Sequence, residues 1–281
     1  MVDISSAILN AVKILKLKNI KTAFLDSEIL MSESIKKDKK YLIINSDKNI
    51  KSTNLKFFEY LISERANKKP IAYLLKKKGF WKNEFFVSED TLIPRPDTEL
   101  LVEESLKLIS KNSSKKILDI GTGSGCIIIS ILLERLKCKG IGLDISKEAI
   151  KIAEINAKMQ HLENRINFIN SDIDNFFSNK YDLIVSNPPY INKFKLRNLD
   201  EDVRLSEPLD ALDGGPGGYS KINKVIKKSI NLLKTKGFLL LEIGETQHFG
   251  VKKLLRKNGF FNYKICKDLA NNKRCLISQK I

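Results

Sequence analysis

The chain has 281 residues, 42% of them hydrophobic and 30% charged, which supplies core for one large domain or two smaller ones and excludes a largely disordered chain. No run approaches the ~18 consecutive apolar residues of a membrane helix, and Met1 to Lys18 alternates charged with apolar positions instead of building a signal sequence, so a cytoplasmic protein with no membrane partner is expected. The net charge of +17 points in general toward polyanions, but only eight of the fifty basic residues are Arg, the side chain favoured for bidentate phosphate and base recognition.

The basic runs Lys36 to Lys40 and Lys76 to Lys78 carry no interleaved aromatics; they read mainly as solvated surface, and nucleic acid is not required. Apolar residues at three- and four-residue spacing predict helices over Ile4 to Leu17, Ala23 to Met31, Lys39 to Ile44, Leu55 to Arg65 and Ile71 to Lys76. Helices this short are stable only when packed on one another, so residues 1–76 are expected to form a small N-terminal helical bundle. Pro70 and Gly79 end it, and the β-prone Phe80, Trp81, Phe85, Phe86 and Val87 predict a linker hairpin within 77–90, turning at Asn83-Glu84.

The third segment, 91–281, is read as one α/β domain in which strands and helices alternate from Lys115 onward, giving a mostly parallel sheet covered on both faces. Strands are expected at Lys116 to Ile120, Gly140 to Leu143, Ile166 to Asn170, Leu183 to Ser186 and Phe238 to Ile243, with helices over Cys126 to Arg135 and Ser146 to Met159. Phe260 to Cys266 and Arg274 to Ser278, joined across Asn271-Asn272, are expected to close one edge as an antiparallel hairpin. Cys126, Cys138, Cys266 and Cys275 show no C-x-x-C spacing and read as reduced core thiols, with no metal site expected.

Ligands of such sheets bind beyond the carboxyl ends of the strands, and the candidate residues gather there. Gly121-Thr122-Gly123-Ser124-Gly125 directly follows the first strand as G-x-G-x-G, a pattern that suits a cofactor or merely a tight strand-to-helix turn. Asp144, at the end of the second strand, can accept from both hydroxyls of a ribose or else cap the following helix. Asp172, where the third strand runs out, can accept from an adenine amine or cap a turn, and Asp119 can meet a cationic head group or cap a helix from the interior. No Lys-Ser or Lys-Thr follows the glycines, so no phosphate clamp is read.

After the fourth strand comes Asn187-Pro188-Pro189-Tyr190. The Asn187 carboxamide oxygen and the Pro188 carbonyl can each accept one N–H of a planar amino group, and Tyr190 offers a flat face. Holding both hydrogens turns the nitrogen lone pair toward an electrophile, so an amide or a base amine is the indicated target. The alternative is a surface turn without chemistry.

Together, Leu118 to Ile127, Asp144 and the Asn-Pro-Pro-Tyr resemble the Rossmann-like S-adenosylmethionine-dependent methyltransferases that act on planar nitrogens. Leu92-Ile93-Pro94-Arg95-Pro96-Asp97-Thr98-Glu99, Glu207-Pro208 with Ala211-Leu212 and Gly214-Gly215, Glu242-Ile243-Gly244 with Gln247, and Lys69 to Tyr73 narrow the resemblance to the peptide chain release factor glutamine methyltransferases, the HemK or PrmC family. The glycine loop is common to many methyltransferases. The Pro-Arg-Pro-Asp-Thr-Glu segment combined with Asn-Pro-Pro-Tyr is specific, and the match spans nearly the whole chain.

The resemblance implies a Rossmann-like methyltransferase sheet with a terminal antiparallel hairpin, preceded by a helical substrate-recognition bundle. It implies S-adenosylmethionine against Gly121, Thr122, Gly123, Ser124, Gly125, Asp144, Asp172 and Asn187, and a substrate glutamine amide against Asn187, Pro188, Pro189 and Tyr190, with Asn187, Pro188 and Tyr190 as the catalytic set. The implied substrate is the Gly-Gly-Gln loop of class 1 release factors, and a monomer is expected. Ile173 stands where an aromatic is common, Lys76 and Gly79 where a glycine and an acid are common, and Gly217 where an acid is common; Arg95 can touch substrate or simply start a helix. Methylation of a ribosomal-protein glutamine is disfavoured by the Pro-Arg-Pro-Asp-Thr-Glu segment. Methylation of an exocyclic amine in RNA or DNA is disfavoured by the lack of Arg and aromatic clusters, and a non-catalytic ribosome-associated binding protein by the presence of every positioned group.

Overall fold

The computed structural model describes residues 2–281, apart from the side chains of Asn262 and Tyr263. It divides into two compact units, Met1–Lys76 with Asp200–Ser206, and Lys77–Leu199 with Glu207–Ile281. No helix among the described residues is long and apolar enough to cross a membrane.

The first unit holds α1 (Ile4–Leu17), α2 (Ala23–Ile35), α3 (Lys39–Ile44), α4 (Ser52–Ala66) and α5 (Ile71–Leu75). Asp3 caps α1 by accepting from Ser6 N at 2.7 Å, and Asp38 caps α3 by accepting from Tyr41 N at 2.8 Å. Helix α2 runs on to Ile35, beyond the expected end at Met31; within it Ser34 donates its hydroxyl to Met31 O at 3.2 Å, and Lys36, in the left-handed region at φ 54°, closes it. Ile4, Leu15, Leu30, Met31, Phe58 and Leu61 share one apolar core. Arg65 is buried with Asp26, its Nε 2.7 Å from Asp26 Oδ2, and its Nη1 lies 2.7 Å from Asp202 Oδ2, so the segment Asp200–Ser206 is tied to this unit by a charge.

The second unit opens with a hairpin of β1 (Lys77–Phe80) and β2 (Asn83–Phe86), paired antiparallel with Phe80 opposite Asn83. The turn expected at Asn83-Glu84 falls instead on Trp81-Lys82, with Trp81 at φ 55°. Packing decides this: Phe80 and Phe85 meet edge to face at 6.1 Å in the core, and the Trp81 N–H donates to Glu99 Oε1 at 2.8 Å, which holds the turn residue in place.

Then follow α6 (Glu99–Leu108), β3 (Lys116–Ile120), α7 (Cys126–Glu134), β4 (Lys139–Asp144), α8 (Lys147–Met159), β5 (Ile166–Asn170) and β6 (Tyr181–Ser186). The short helix α9 (Glu201–Ser206) is counted with the first unit. The chain ends with α10 (Ser220–Leu232), β7 (Leu233–Glu242), α11 (His248–Lys257), β8 (Phe260–Lys267) and β9 (Lys273–Lys280). The seven-stranded sheet has the order β5-β4-β3-β6-β7-β9-β8. Strands β5, β4, β3, β6 and β7 are parallel, and β9 joins β7 and β8 antiparallel, so the terminal hairpin closes one edge as the sequence predicts.

The central strands are near-continuous apolar runs buried on both faces, as a covered parallel sheet requires. One core lies under α6 and α7, with Ile117, Ile128, Ile131 and Leu183; the other lies under α10 and α11, with Leu118, Ile184, Ile226 and Leu241. Strand order reverses at β3, which has β4 on one side and β6 on the other, so the crevice at the carboxyl ends of β3 and β6 is the topological switch point of the sheet.

Candidate active site

Parallel pairing brings the two candidate loops side by side. Ile120, the last residue of β3, is the register partner of Ser186, the last residue of β6, and Ser186 Oγ donates to Ile120 O at 2.7 Å. The glycine loop and the Asn187 to Tyr190 loop therefore leave the sheet as neighbours.

The glycine loop is built from its own backbone. Gly121, Gly123 and Gly125 have φ of 72°, 55° and 79°, which glycine adopts freely and other residues do not. The N–H groups of Gly121 and Thr122 donate to Leu143 O at 2.8 and 3.0 Å, and Gly125 N donates to Thr122 O at 2.8 Å. Asp144 belongs to the same assembly, since its Oδ2 accepts from Gly123 N at 2.8 Å and its Oδ1 from Ser146 N at 3.0 Å. Helix α8 is capped by Ser146, whose Oγ accepts from Ala149 N at 3.1 Å, so Asp144 is not its cap. Burial raises the Asp144 carboxyl above the ordinary range, against the lowering by those backbone donors.

Asp119 is fully buried (0% exposed). Its Oδ2 accepts from Thr122 Oγ1 at 2.8 Å, whereas its Oδ1 has no hydrogen-bond partner among the described residues. Loss of water pushes this carboxyl up to about 7. Ser124 is buried, and its carbonyl accepts from Asn156 Nδ2 at 2.8 Å. Asp172 stands farther along. It caps the single 3₁₀ turn Ile173–Asn175 through Asp174 N at 2.8 Å and pairs with Lys224 Nζ at 2.7 Å, and that pairing lowers its pKa. Ile173 is buried in the core beneath α10.

Asn187 is half-buried and its Nδ2 donates to Thr98 Oγ1 at 3.1 Å. Pro188 is buried, and Pro189 and Tyr190 are half-buried. The Tyr190 hydroxyl turns inward to Glu242 Oε1 at 3.2 Å, so the ring and not the hydroxyl is left for a ligand. Burial, followed by the nearby Glu242 charge, raises the Tyr190 phenol well above its usual value. The Tyr190 carbonyl accepts from Gln247 Nε2 at 3.0 Å, and the Gln247 Oε1 accepts from Gly244 N at 2.9 Å.

Two glycines let other backbone approach this loop. A Cβ at Gly214 would lie 2.8 Å from the Pro189 carbonyl oxygen, and one at Gly218 would lie 2.2 Å from the Tyr190 carbonyl oxygen. The chain leaves at Ile191 and returns at Gly214, whose N–H donates to Ile191 O at 2.9 Å.

Sequence reasoning gave no role to Thr98, Glu242 or Gln247, although all three fall in the segments that carry the resemblance. Glu242 (2% exposed) and Thr98 (3% exposed) are joined by a 2.6 Å hydrogen bond from Thr98 Oγ1 to Glu242 Oε2. Burial pushes Glu242 up to about 7, opposed by the donors Thr98 and Tyr190. Arg95 pairs with the buried Glu207, which also accepts from Ile93 N at 3.3 Å; Arg95 and Glu207-Pro208, which looked like separate motifs, are two halves of one contact.

The family model for the PrmC N-terminal domain matches residues 6–75, and that for the methyltransferase small domain matches residues 96–201. A release factor glutamine methyltransferase of Buchnera aphidicola subsp. Baizongia pistaciae is 40% identical over 95% of this chain and 96% of its own length. One from Clostridium acetobutylicum is 37% identical over 98% of both. A solved methyltransferase from Pyrococcus furiosus superposes with a TM-score of 0.55 at 18% identity, over 78% of this chain and 98% of that one, which shows the shared fold.

The methyl donor is S-adenosylmethionine. The exit of β3 fits such a group: a buried carboxylate oxygen of Asp119 is left without a partner, and the space where a Cβ of Gly121 or Gly123 would stand is open. From the N-terminal bundle to the terminal hairpin, the chain belongs to the release factor glutamine methyltransferase family.

Proposed function

We propose that the protein transfers a methyl group from S-adenosylmethionine to the side-chain amide nitrogen of the glutamine in the Gly-Gly-Gln loop of class 1 peptide chain release factors. The observation that carries the reading is the pairing of Ile120 with Ser186, which sets a glycine loop and an Asn-Pro-Pro-Tyr loop on adjacent parallel strands at the switch point. The names of the relatives support the substrate.

In this reading Gly121, Thr122, Gly123, Gly125 and Ser124 hold the donor mainly through backbone, because Thr122 and Ser124 are buried. Asp144 accepts from its ribose, and Asp119 offers its unpartnered oxygen toward the donor's cationic end. Asp172 reaches the base amine only by sharing its carboxylate with Lys224. When bound, S-adenosylmethionine supplies an electrophilic sulfonium methyl group.

The residues of the other loop act on the nucleophile. An amide nitrogen has its lone pair tied up by resonance, so it needs help to attack. The Asn187 carboxamide oxygen and the Pro188 carbonyl each accept one N–H of the target, and Tyr190 supports its plane. As charge develops on the nitrogen these two acceptors tighten, which favours the transition state over the ground state. The methylated nitrogen is then strongly acidic and gives its proton to solvent, so no side chain serves as general base. The helical unit, the part similar to the PrmC N-terminal domain, helps to hold the release factor.

Transfer of tritium from labelled S-adenosylmethionine, run in parallel on release factor, ribosomal RNA and ribosomal protein, tests the assignment. Label is expected in the release factor. Label only in RNA or ribosomal protein would replace this substrate with one of the others.

A further inference from the structure

Burying a carboxylate is costly unless its oxygens are used. Glu242 lies at the end of β7 among Leu239, Leu240, Leu241 and Ile243, all fully buried, and both of its oxygens accept hydrogen bonds. Thr98 gives it one proton at 2.6 Å and Tyr190 another at 3.2 Å.

A hydroxyl has a single proton to donate, and with Glu242 ionised the Thr98 proton is committed to Glu242. Toward Asn187, Thr98 Oγ1 is therefore an acceptor, and the Asn187 atom 3.1 Å away has to be the amide nitrogen. The orientation of the carboxamide follows from this chain of bonds, with Nδ2 held inward and Oδ1 free. The opposite flip would present an N–H donor to the N–H groups of a target amide, which has no acceptor to offer there.

Building on the glutamine-amide reading above, we propose that Glu242 and Thr98 are positioning residues that select the orientation of Asn187 in which Oδ1 meets the target nitrogen. Gln247 completes the support from the same segment, since its Nε2 holds the Tyr190 carbonyl at 3.0 Å while Glu242 holds the Tyr190 hydroxyl. The Asn-Pro-Pro-Tyr loop is thus gripped at its first residue by Thr98 and at its last from both ends by Glu242 and Gln247, two segments far apart in the chain.

Thr98→Val removes the hydroxyl at nearly constant shape, and Thr98→Ser restores it. With saturating S-adenosylmethionine and release factor, Thr98→Val is expected to lower kcat by roughly 10- to 100-fold while KM for release factor stays within about threefold, and Thr98→Ser to recover most of the wild-type rate. A residue that served only for folding would not be rescued in kcat alone. Equal rates for Thr98→Val and wild type, or equal loss in Thr98→Val and Thr98→Ser, would overturn the proposal.

A second measurement needs no substrate. The side-chain NH2 pair of Asn187, identified in a proton–nitrogen spectrum by its disappearance in Asn187→Ala, is expected to carry one hydrogen-bonded proton whose shift collapses in Thr98→Val. An unchanged pair in Thr98→Val contradicts the relay. If wild type fails to methylate release factor, the substrate reading falls, and this spectrum still decides the relay.

Discussion

Two loops leave neighbouring strands of one sheet, and they are held in opposite ways. The glycine loop after β3 is stitched by its own backbone, by Leu143 O and by Asp144, so its shape is written in the glycines themselves. The Asn187 to Tyr190 loop after β6 is held by side chains from far away in the chain: Thr98, Glu242 and Gln247, with Gly214 and Gly218 clearing space for its backbone. The difference follows from the work proposed for each loop. Backbone groups suffice to cradle a donor, whereas orienting a target amide needs a carboxamide that cannot flip, and only a chain of fixed hydrogen bonds provides that.

Mutations that separate the two loops should have distinct signatures. The largest effect is expected from Asn187→Ala, with methyl transfer at saturating S-adenosylmethionine falling by roughly 100-fold or more and the fold unchanged by circular dichroism. Asp144→Ala should act on the first loop alone, weakening S-adenosylmethionine binding in calorimetry by on the order of 1.5 to 3 kcal/mol, because in the proposed reading the ribose loses a charged acceptor. An Asp144→Ala variant with normal affinity and a reduced saturated rate would merge the two loops into one functional unit.

The two loops also share a property that pH exposes. Asp119 at the end of β3 and Glu242 at the end of β7 are both pushed by burial to about 7, above their unfolded values. Each favours the folded state fully below the unfolded carboxylate pKa and loses that contribution as pH rises through about 7. Thermal melts between pH 4 and 8 should therefore show stability falling by roughly 1 to 3 kcal/mol per group, and Asp119→Asn and Glu242→Gln should each flatten part of that slope. A slope unchanged from wild type in both variants would show that neither carboxyl is the source. The smallest effect is expected from Tyr190→Phe, which keeps the ring and loses only the bond to Glu242; a drop of about two- to fivefold in rate is anticipated. A loss as large as that of Asn187→Ala would mean that the hydroxyl acts on the substrate.

Legibility from sequence follows the same division. The alternation of strands and helices, the glycine loop, Asp144 at the end of β4 and the terminal hairpin all depend on residues close in sequence, and reading along the chain finds them. The hairpin turn was misplaced because Asn83-Glu84 looks more turn-like than Trp81-Lys82, while packing of Phe80 on Phe85 and the bond from Trp81 to Glu99 decide the register. Helices α6, α10 and α11 went unread although α10 has a buried face of Ile222, Val225, Ile226 and Ser229 at helical spacing. At the site, Thr98 and Glu242 were visible as motif residues but not as partners, since nothing in a linear pattern states that a Thr before α6 meets a Glu at the end of β7. Lys76 is a similar case. It stands at φ 54°, a left-handed position that glycine adopts more easily than lysine, and no linear pattern marks it.

In the proposed reading the Asn187 loop delivers a glutamine amide for methylation. Site-resolved mass spectrometry of a class 1 release factor incubated with S-adenosylmethionine and either wild type or Asn187→Ala tests it most directly. The expected result is a single methyl group on the side-chain amide of the glutamine in the Gly-Gly-Gln loop, formed by wild type and nearly absent with Asn187→Ala at saturating donor. Methyl groups at any other position, or equal modification of that glutamine by both proteins, would contradict the account.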